Sequence, residues 1–354
     1  MALTPLLPLA AAAADPDSAA AALSLRACRN FRYLALSPDK TMAPHFVDDK
    51  TPICIPFILS QLKLHREEAP DRPFVIGLNG IQGAGKSTLV KALSVALEAQ
   101  GVPTLVCSID EFYLTRKDQV ALAESHPDNA LVQHRGEPAV MPLRDSLDSN
   151  TSDNQSGTHD MPLAKAFFDA LLKGEPTKLP KYDKAISGGK GDRLPESEWK
   201  PVNQPGHPKI QATILEGWCV GFRPLTHDGV EARLNMTNRT LKQHKLEHLL
   251  FINDKLAEYN SLTDLFDAFI QIDAEDLGYV YGWRLEQEDH LREERGDPEA
   301  GMTSVEVVKF VDGYYPAYEL YTDSMRKGVF PNRPGRQLRM VVGRDRKVKH
   351  VRRI

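Results

Sequence analysis

One stretch decides the fold of this chain, Gly80-Ile81-Gln82-Gly83-Ala84-Gly85-Lys86-Ser87-Thr88, because it fits the pattern G-x-x-x-x-G-K-[ST] of a phosphate-binding P-loop. The residues before it, Phe74 to Leu78, form a short apolar run typical of a buried strand. The residues after it place apolar side chains at helical spacing from Leu89 to Leu97. A strand, a glycine turn and a helix N-terminus are the context in which this motif binds nucleotides, so an accidental match is the weaker interpretation.

Each residue type in the motif suits a nucleotide phosphate. Glycines let the backbone adopt positive φ and approach an anion closely, and the N–H groups of a helix N-terminus favour negative charge. We predict that Lys86 acts on the β- and γ-phosphates of ATP and that the Ser87 hydroxyl ligates Mg²⁺. The predicted ATP-binding residues are Gly80, Gly83, Ala84, Gly85, Lys86, Ser87 and Thr88.

Apolar runs separated by helical patterns extend from the P-loop to the end of the chain. The predicted strands are 74–78, 104–109, 212–215, 268–272 and 338–342. Strands that alternate with helices form a mostly parallel sheet covered on both faces. We therefore predict an α/β fold of the P-loop NTPase type, with a mostly parallel five-stranded sheet and helices on both faces, and with ligands beyond the carboxyl ends of the strands.

The composition of the 354 residues excludes several classes of protein. The net charge of −4 gives no general attraction to nucleic acid or to a membrane surface. No apolar run is long enough to cross a bilayer. The four cysteines lack C-x-x-C spacing, which argues against a zinc site and a disulfide framework. We expect a cytoplasmic protein whose partner is a small-molecule substrate, without nucleic acid or membrane, and the oligomeric state stays open.

The chain divides into a tail and one domain. Residues 1–41 are rich in alanine and leucine and contain four basic residues against three aspartates, which indicates a disordered tail or a mitochondrial transit segment, and Met42 is an alternative start. Residues 42–354 form the predicted P-loop domain. Within it, residues 144–157 are rich in Ser, Asp and Asn and are predicted to be a polar insertion.

Two carboxylates follow predicted strands at the edge where phosphates bind. Asp110 comes directly after the second strand, where a phosphotransferase needs a carboxylate to accept a proton or to hold Mg²⁺. Capping of a helix N-terminus is the alternative role for this aspartate. Glu216 ends the third strand, in the Walker-B place, and is predicted to act on the metal.

Several short motifs resemble the D-glycerate 3-kinase family and its fungal relatives, within a wider group that includes uridine kinase, pantothenate kinase and phosphoribulokinase. They occur in the family's order from about residue 45 to the end of the chain. Besides the P-loop, the resemblance is carried by residues 108–115 (SIDEFYLT), 133–136 (QHRG), 157–160 (GTHD), 180–184 (PKYDK), 215–222 (LEGWCVGF) and 314–321 (YYPAYELY).

The resemblance implies ATP-dependent phosphorylation of a small hydroxylated metabolite, D-glycerate foremost. It implies Asp110 as the base, together with a set of residues near the acceptor: Arg135, His159, Asp160, Lys181, Tyr182 and Asp183. Arg and Lys suit a carboxylate on the substrate. The chain departs from the plant pattern at the 144–157 insertion, and from the Ile-Asp-Asp-Phe-Tyr pattern at Glu111.

A closing lid is expected at about residues 276–300, after the fourth strand, because a transferring site must exclude water. Arg284 and Arg292 are the candidate lid arginines. The alternative is an ordinary charged helix with i,i+4 pairs such as Glu288–Arg292.

Three other classes compete with the kinase interpretation. Residues 186–190 (ISGGK) resemble the signature of transporter ATPases, although the sequence that follows is a poor helix start. A GTPase would need an Asn-Lys-x-Asp motif after a strand, and no predicted strand in this sequence is followed by one. The basic end, residues 333–353, could suit nucleic acid, but its charges alternate with apolar residues as on a solvated strand.

Overall fold

The computed structural model describes residues 48–133 and 158–354. The predicted tail, the 144–157 insertion and Arg135 lie outside the described residues. The strands are β1 (Phe74–Gly80), β2 (Thr104–Ser108), β3 (Thr177–Leu179), β4 (Tyr182–Asp183), β5 (Asp192–Arg193), β6 (Lys200–Val202), β7 (Ala212–Gly217), β8 (Ala268–Ala274), β9 (Gln337–Val342) and β10 (Val348–Arg353).

The central sheet has the order β10-β9-β8-β1-β7-β2, with parallel pairing from β9 to β2. All five predicted strands are therefore present and parallel. The prediction of five strands was incomplete, because β10 adds a sixth, antiparallel to β9 at the edge. Five of its six residues are exposed and four of the six are basic. Charge on an edge strand discourages pairing with other chains. Because β10 is rich in basic residues, it does not form an apolar run that would predict a strand.

Burial explains why the parallel strands were visible in the sequence. Every residue of β1 and of β8 is buried, so both faces of the sheet are covered. The covering and connecting helices are α1 (Thr51–Glu68), α2 (Lys86–Ala99), α3 (Arg116–Ser125), α4 (Met161–Leu172), α5 (His227–Asn235), α6 (Leu246–Leu256), α7 (Asn260–Thr263), α8 (Tyr279–Arg295) and α9 (Ser304–Met325).

Parallel pairing brings the carboxyl ends of β1, β2 and β7 to one edge of the sheet. In this register Leu78 of β1 and Ser108 of β2 both pair with Glu216 of β7. The P-loop after β1 and the turn after β2 therefore start beside Glu216, at the edge where open α/β sheets bind ligands. In the two described ranges, no helix combines the length and the apolar character that crossing a bilayer demands.

Candidate active site

The P-loop joins β1 to α2 with the backbone that an anion site requires. Gly85 precedes α2 in the left-handed conformation, with φ of 95°, which a side chain would disfavour. The N–H groups of the first turn of α2 have no partners within the helix and point toward the loop. Lys86 Nζ donates to the carbonyl oxygens of Gly80 at 2.8 Å and Ile81 at 3.4 Å, so the ammonium lies across the mouth of the loop.

The outer side of the P-loop is supported by α8 and by the β9–β10 turn. Gly83 has φ of 78°, and a Cβ on it would lie 2.5 Å from Trp283 Cβ. Arg346 Nε donates to the Gly83 carbonyl at 2.8 Å, and its guanidinium lies 5.3 Å from the centre of the Trp283 ring. Arg346, in the basic end of the chain, thus contacts the P-loop.

Replacing Gly83 by alanine is expected to destabilise the protein and to raise KM for ATP. A left-handed alanine costs about 1–2 kcal/mol, and forcing a Cβ against Trp283 adds about 1–3 kcal/mol. Gly101→Ala is the matched control, because Gly101 has φ of 72° and a Cβ added to it would have no atom within 4 Å. Urea unfolding of both variants measures the difference, and equal losses of unfolding free energy would show that contact with Trp283 does not constrain the loop.

A polar cavity of about 340 Å³ opens directly in front of the P-loop. The described residues that line it come from the P-loop, the ends of β2 and β7, and the β4–β5 hairpin. They are Lys86, Ser87, Ser108, Asp110, Glu111, Tyr182, Lys184, Glu216, Gly217 and Trp218. The structure therefore brings the predicted phosphate-binding lysine, both predicted carboxylates and Tyr182 to one space.

Asp110 lies in a short 3-10 turn, Ile109–Phe112, whose N-cap is Ser108 rather than Asp110. Its Oδ2 atom accepts a hydrogen bond from Lys184 Nζ. Its Oδ1 atom is buried and has no hydrogen-bond partner among the described residues. Burial opposes ionisation of this carboxyl, but the Lys184 ammonium outweighs it and lowers the pKa of Asp110 below its usual value. The ionised Asp110 carboxylate therefore lines the cavity, and the nearby Tyr113 hydroxyl also acts to lower its pKa.

The remaining charges of the cavity lie close to the P-loop. Burial lowers the pKa of Lys86, while the Glu216 and Asp110 carboxylates oppose that change. The cavity offers a hydroxyl from Ser87 and carboxylates from Glu216 and Asp110. Oxygen ligands of these kinds suit Mg²⁺, and the unpartnered Oδ1 of Asp110 leaves room for a further contact, so the donor set fits the metal.

The β4–β5 hairpin forms another part of the cavity wall, and hydrogen bonds attach it to the chain after β2. Glu111 Oε2 accepts from the Tyr182 N–H at 2.9 Å, and Asp192 Oδ1 accepts from the Arg116 N–H at 2.7 Å. Arg193 Nη2 donates to the Tyr113 carbonyl at 3.1 Å. Sequence reasoning did not assign roles to Glu111, Lys184 or Arg193. Lys184 belongs to the family-like motif at residues 180–184 (PKYDK), and that motif is the sequence feature that could have pointed to it.

His159, which was predicted to lie near the acceptor, does not line the described cavity. The side chain is fully buried and stacks on the Tyr113 ring, with ring centres 4.5 Å apart. Its Nδ1 is 2.6 Å from the Tyr259 hydroxyl. Burial lowers the pKa of His159 to about 4, so the imidazole is neutral at pH 7. A neutral ring packed against Tyr113 carries no positive charge with which to attract an anion.

Asp160 and Asp183, which were also predicted to lie near the acceptor, hydrogen-bond to backbone N–H groups. Asp160 is the N-cap of α4, accepting from the Leu163 N–H at 3.0 Å, and its second oxygen accepts from Arg193 at 2.9 Å. Asp183 Oδ1 accepts from the Ala185 N–H at 2.8 Å and so closes the hairpin turn. Lys181 is exposed and is not among the described residues that line the cavity. Of the hairpin residues predicted to contact the acceptor, Tyr182 alone reaches the described cavity wall.

The predicted lid arginines are held within the α8–α9 corner. Arg284 pairs with the buried Glu288, which also accepts from the Met302 N–H at 2.8 Å. Arg292 pairs with Asp289 at 2.8 Å and donates to the Met302 carbonyl. Neither arginine lines the cavity described above. These positions agree with the alternative of an ordinary charged helix with ion pairs along its surface. Glu288, however, pairs with Arg284 rather than with Arg292.

Residues 186–190, which resemble the signature of transporter ATPases, form the tip of the β4–β5 hairpin. Such a signature would need to begin a helix, whereas Ser187, Gly188, Gly189 and Gly191 all have positive φ between 56° and 81°. Consecutive left-handed residues are incompatible with a right-handed helix. The tip therefore does not support a transporter ATPase.

Comparison with known proteins places the chain in a family. No family model matches it. A solved D-glycerate 3-kinase from Cryptococcus neoformans is 33% identical, with a TM-score of 0.73 over 87% of this chain and 100% of that one. An uncharacterized kinase of Schizosaccharomyces pombe is 37% identical over 76% of this chain and 88% of its own length. The chloroplastic D-glycerate 3-kinase of Arabidopsis thaliana is 31% identical over 90% of this chain, which spans 64% of the plant enzyme. With this sequence identity, the shared P-loop fold and the cavity in front of the P-loop, the chain belongs to the D-glycerate 3-kinase family of ATP-dependent P-loop kinases.

Proposed function

We propose that this enzyme transfers the γ-phosphate of ATP to a hydroxyl of a small anionic metabolite, D-glycerate foremost. The observation that carries the proposal is the cavity that joins Lys86 and Ser87 to Asp110 and to the β4–β5 hairpin. A phosphoryl donor on the P-loop and an acceptor beside Asp110 would share this space. The activity for which the Cryptococcus and Arabidopsis relatives are named supports glycerate as the first acceptor to test.

Asp110 performs the proton transfer in this proposal. The acceptor hydroxyl donates to the Asp110 carboxylate and gives up its proton to it, and the hydroxyl oxygen forms a bond to the γ-phosphorus while the bond to the bridging oxygen of ADP breaks. Lys86 leaves the carbonyls of Gly80 and Ile81 to offset negative charge on the transferring group. Ser87 and Glu216 would hold Mg²⁺, which neutralises phosphate charge when bound.

The activity is tested by measuring acceptor-dependent ADP release. Purified protein with Mg-ATP is screened against D-glycerate, pantothenate, uridine and neutral sugars, without DNA, RNA or lipid. We expect release that depends on D-glycerate and gives a phosphorylated acid detectable by mass spectrometry. Release that depends only on a nucleoside or a sugar would reject the glycerate assignment and keep the kinase assignment. Equal release with and without every acceptor would reject both.

Arg135→Lys is expected to raise KM for D-glycerate and to leave KM for ATP near its wild-type value. This prediction depends on the sequence alone, since Arg135 lies outside the described residues. A guanidinium can bind a carboxylate through two parallel hydrogen bonds, which an ammonium cannot reproduce. Arg66→Lys, on the exposed face of α1, is the matched control. An unchanged KM for D-glycerate would remove Arg135 from the acceptor site.

A further inference from the structure

The turn between β9 and β10 carries an arginine at a position where the backbone favours glycine. The Arg346 N–H donates to the Gly343 carbonyl at 2.9 Å, and the Gly343 N–H donates to the Lys347 carbonyl at 3.0 Å. Arg346 has φ of 60°, in the left-handed region that a Cβ disfavours. Hairpin turns usually place glycine or asparagine at a left-handed position. Backbone strain of this kind is commonest where a side chain has a function, so we examined what the Arg346 side chain contacts.

The Arg346 side chain lies between the P-loop and α8. Its Nε atom donates to the Gly83 carbonyl at 2.8 Å, and its Nη2 atom lies 2.5 Å from Glu286 Oε2. The guanidinium carbon lies 5.3 Å from the centre of the Trp283 ring, over its face. A planar guanidinium that contacts a carbonyl, a carboxylate and an aromatic ring together is held in one orientation.

The hydrogen bond from Arg346 fixes one peptide unit of the P-loop. In that unit the Gly83 carbonyl accepts from Arg346, and the Ala84 N–H donates to the Ile81 carbonyl at 3.2 Å. A P-loop binds phosphate through backbone N–H groups, so a carbonyl that turned toward the ligand would repel it. Glycine adopts several backbone conformations at little cost, and Gly83 needs an outside contact to keep a single one. Arg346 supplies that contact.

The backbone of the turn is held by contacts that do not use the Arg346 side chain. Lys50 Nζ donates to the Arg346 carbonyl at 2.6 Å. Asp49 Oδ2 accepts from the Val348 N–H at 2.7 Å. Both partners directly precede α1, and both contact main-chain atoms of the turn. A substitution of Arg346 therefore removes the contact with the P-loop and leaves these anchors of the turn in place.

We propose that Arg346 is a positioning residue for ATP, which holds the Gly83 peptide so that the P-loop has its phosphate-binding shape before the nucleotide arrives. This inference rests on the ATP half of the proposed function. Without the guanidinium the loop populates other shapes, and the apparent affinity for nucleotide falls by the fraction that remains competent. Arg346 is not among the described residues that line the cavity, so acceptor binding should change little.

The test compares wild-type protein with Arg346→Gly, Arg346→Lys and Arg352→Met. Calorimetry with Mg²⁺ and a non-hydrolysable ATP analogue gives Kd, and steady-state kinetics give KM for ATP and for D-glycerate. Arg346→Gly should raise Kd for the analogue and KM for ATP by about 5- to 30-fold, the range that one hydrogen bond from a charged group allows. KM for D-glycerate should stay within about twofold of wild type. Arg346→Lys should recover part of the affinity, because an ammonium can still donate to a carbonyl.

Arg352→Met is the matched control and should bind the analogue as wild type does, since Arg352 is an exposed arginine of β10 in the same hairpin. Glycine relieves the left-handed backbone at position 346, so a loss of affinity without a comparable loss of melting temperature separates positioning of the P-loop from general support of the fold. If Arg346→Gly does not fold, Arg346→Asn decides, since asparagine also tolerates this backbone region.

Wild-type affinity for the analogue in folded Arg346→Gly would overturn the inference and leave Arg346 as a support for the turn. Equal rises in KM for ATP and for D-glycerate, together with a lower melting temperature, would overturn it as well, because they indicate a general loosening. Failure of the proposed function gives a different result. If wild-type protein binds the analogue but phosphorylates no acid, the glycerate assignment fails and calorimetry still decides the role of Arg346. If wild-type protein binds no nucleotide, both are wrong.

Discussion

Replacing Lys86 by alanine is expected to lower kcat for phosphoryl transfer by about 10²–10³-fold or more, since removal of one preorganised donor to transition-state charge has an effect of this size. In the substrate-free protein Lys86 donates to two carbonyl oxygens of the P-loop. Those carbonyls can bond to water after the substitution, because the loop borders an open cavity. The fold should therefore survive, and the loss should fall on the chemical step.

Coupled ADP release with D-glycerate measures the rate, and circular dichroism with thermal unfolding checks the fold. Lys91→Ala is the matched control, because Lys91 lies on the exposed face of the same helix, α2. It should keep wild-type kcat. Wild-type turnover in a folded Lys86→Ala protein would remove the P-loop lysine from the reaction and with it the proposed binding mode of ATP.

The parallel sheet could be predicted because its strands carry their own signal. Strands buried on both faces must be apolar along their whole length, as β1 and β8 are, and such runs stand out in the sequence. The strand β10 gave no such signal. Its residues face solvent at the sheet edge, and Val348 and Val351 are its only apolar members. Its pairing depends on β9 being folded beside it.

The P-loop could be predicted for a related reason, since its chemistry lies in one continuous stretch. The acceptor side could not be predicted in the same way, because it is assembled from distant segments. Lys184 meets Asp110 across 74 residues of sequence. His159 has a residue type suited to substrate contact, but packing between Tyr113 and Tyr259 buries it. Residue type suggests a role, whereas exposure to the cavity is set by tertiary packing.

The lid illustrates the same limit within a single helix. Helical spacing allowed Glu288 to pair with a basic residue four positions away on either side, Arg284 or Arg292. The structure pairs it with Arg284, while the other oxygen of Glu288 accepts from Met302 on the chain leading to α9. The contact that decides between the two pairings comes from beyond the helix, so the local pattern could not decide it.

Asp110→Asn is expected to lower kcat by about 10²–10⁴-fold while KM for ATP stays near its wild-type value, because removal of a general base has an effect of this size. The amide preserves the shape of the side chain, and its oxygen can still accept from Lys184. It cannot take up the proton of the acceptor hydroxyl as the carboxylate does. The structure thus predicts loss of chemistry without loss of nucleotide binding.

Steady-state kinetics with D-glycerate, and binding of a non-hydrolysable ATP analogue, separate these two effects for Asp110→Asn. Asp71→Asn, an exposed position near the start of β1 and far along that strand from its carboxyl end, supplies the matched control and should behave as wild type. Suppose instead that kcat hardly changes and the melting temperature falls. Asp110 would then serve to hold the β4–β5 hairpin through Lys184, and the proton would go to another carboxylate of the same cavity, Glu111 or Glu216. Burial raises the pKa of Glu111, whereas the pKa of its neighbour Asp110 is lowered. The Glu111 carboxylate is therefore the more basic of these two, and Glu111 is the first residue to replace in that event.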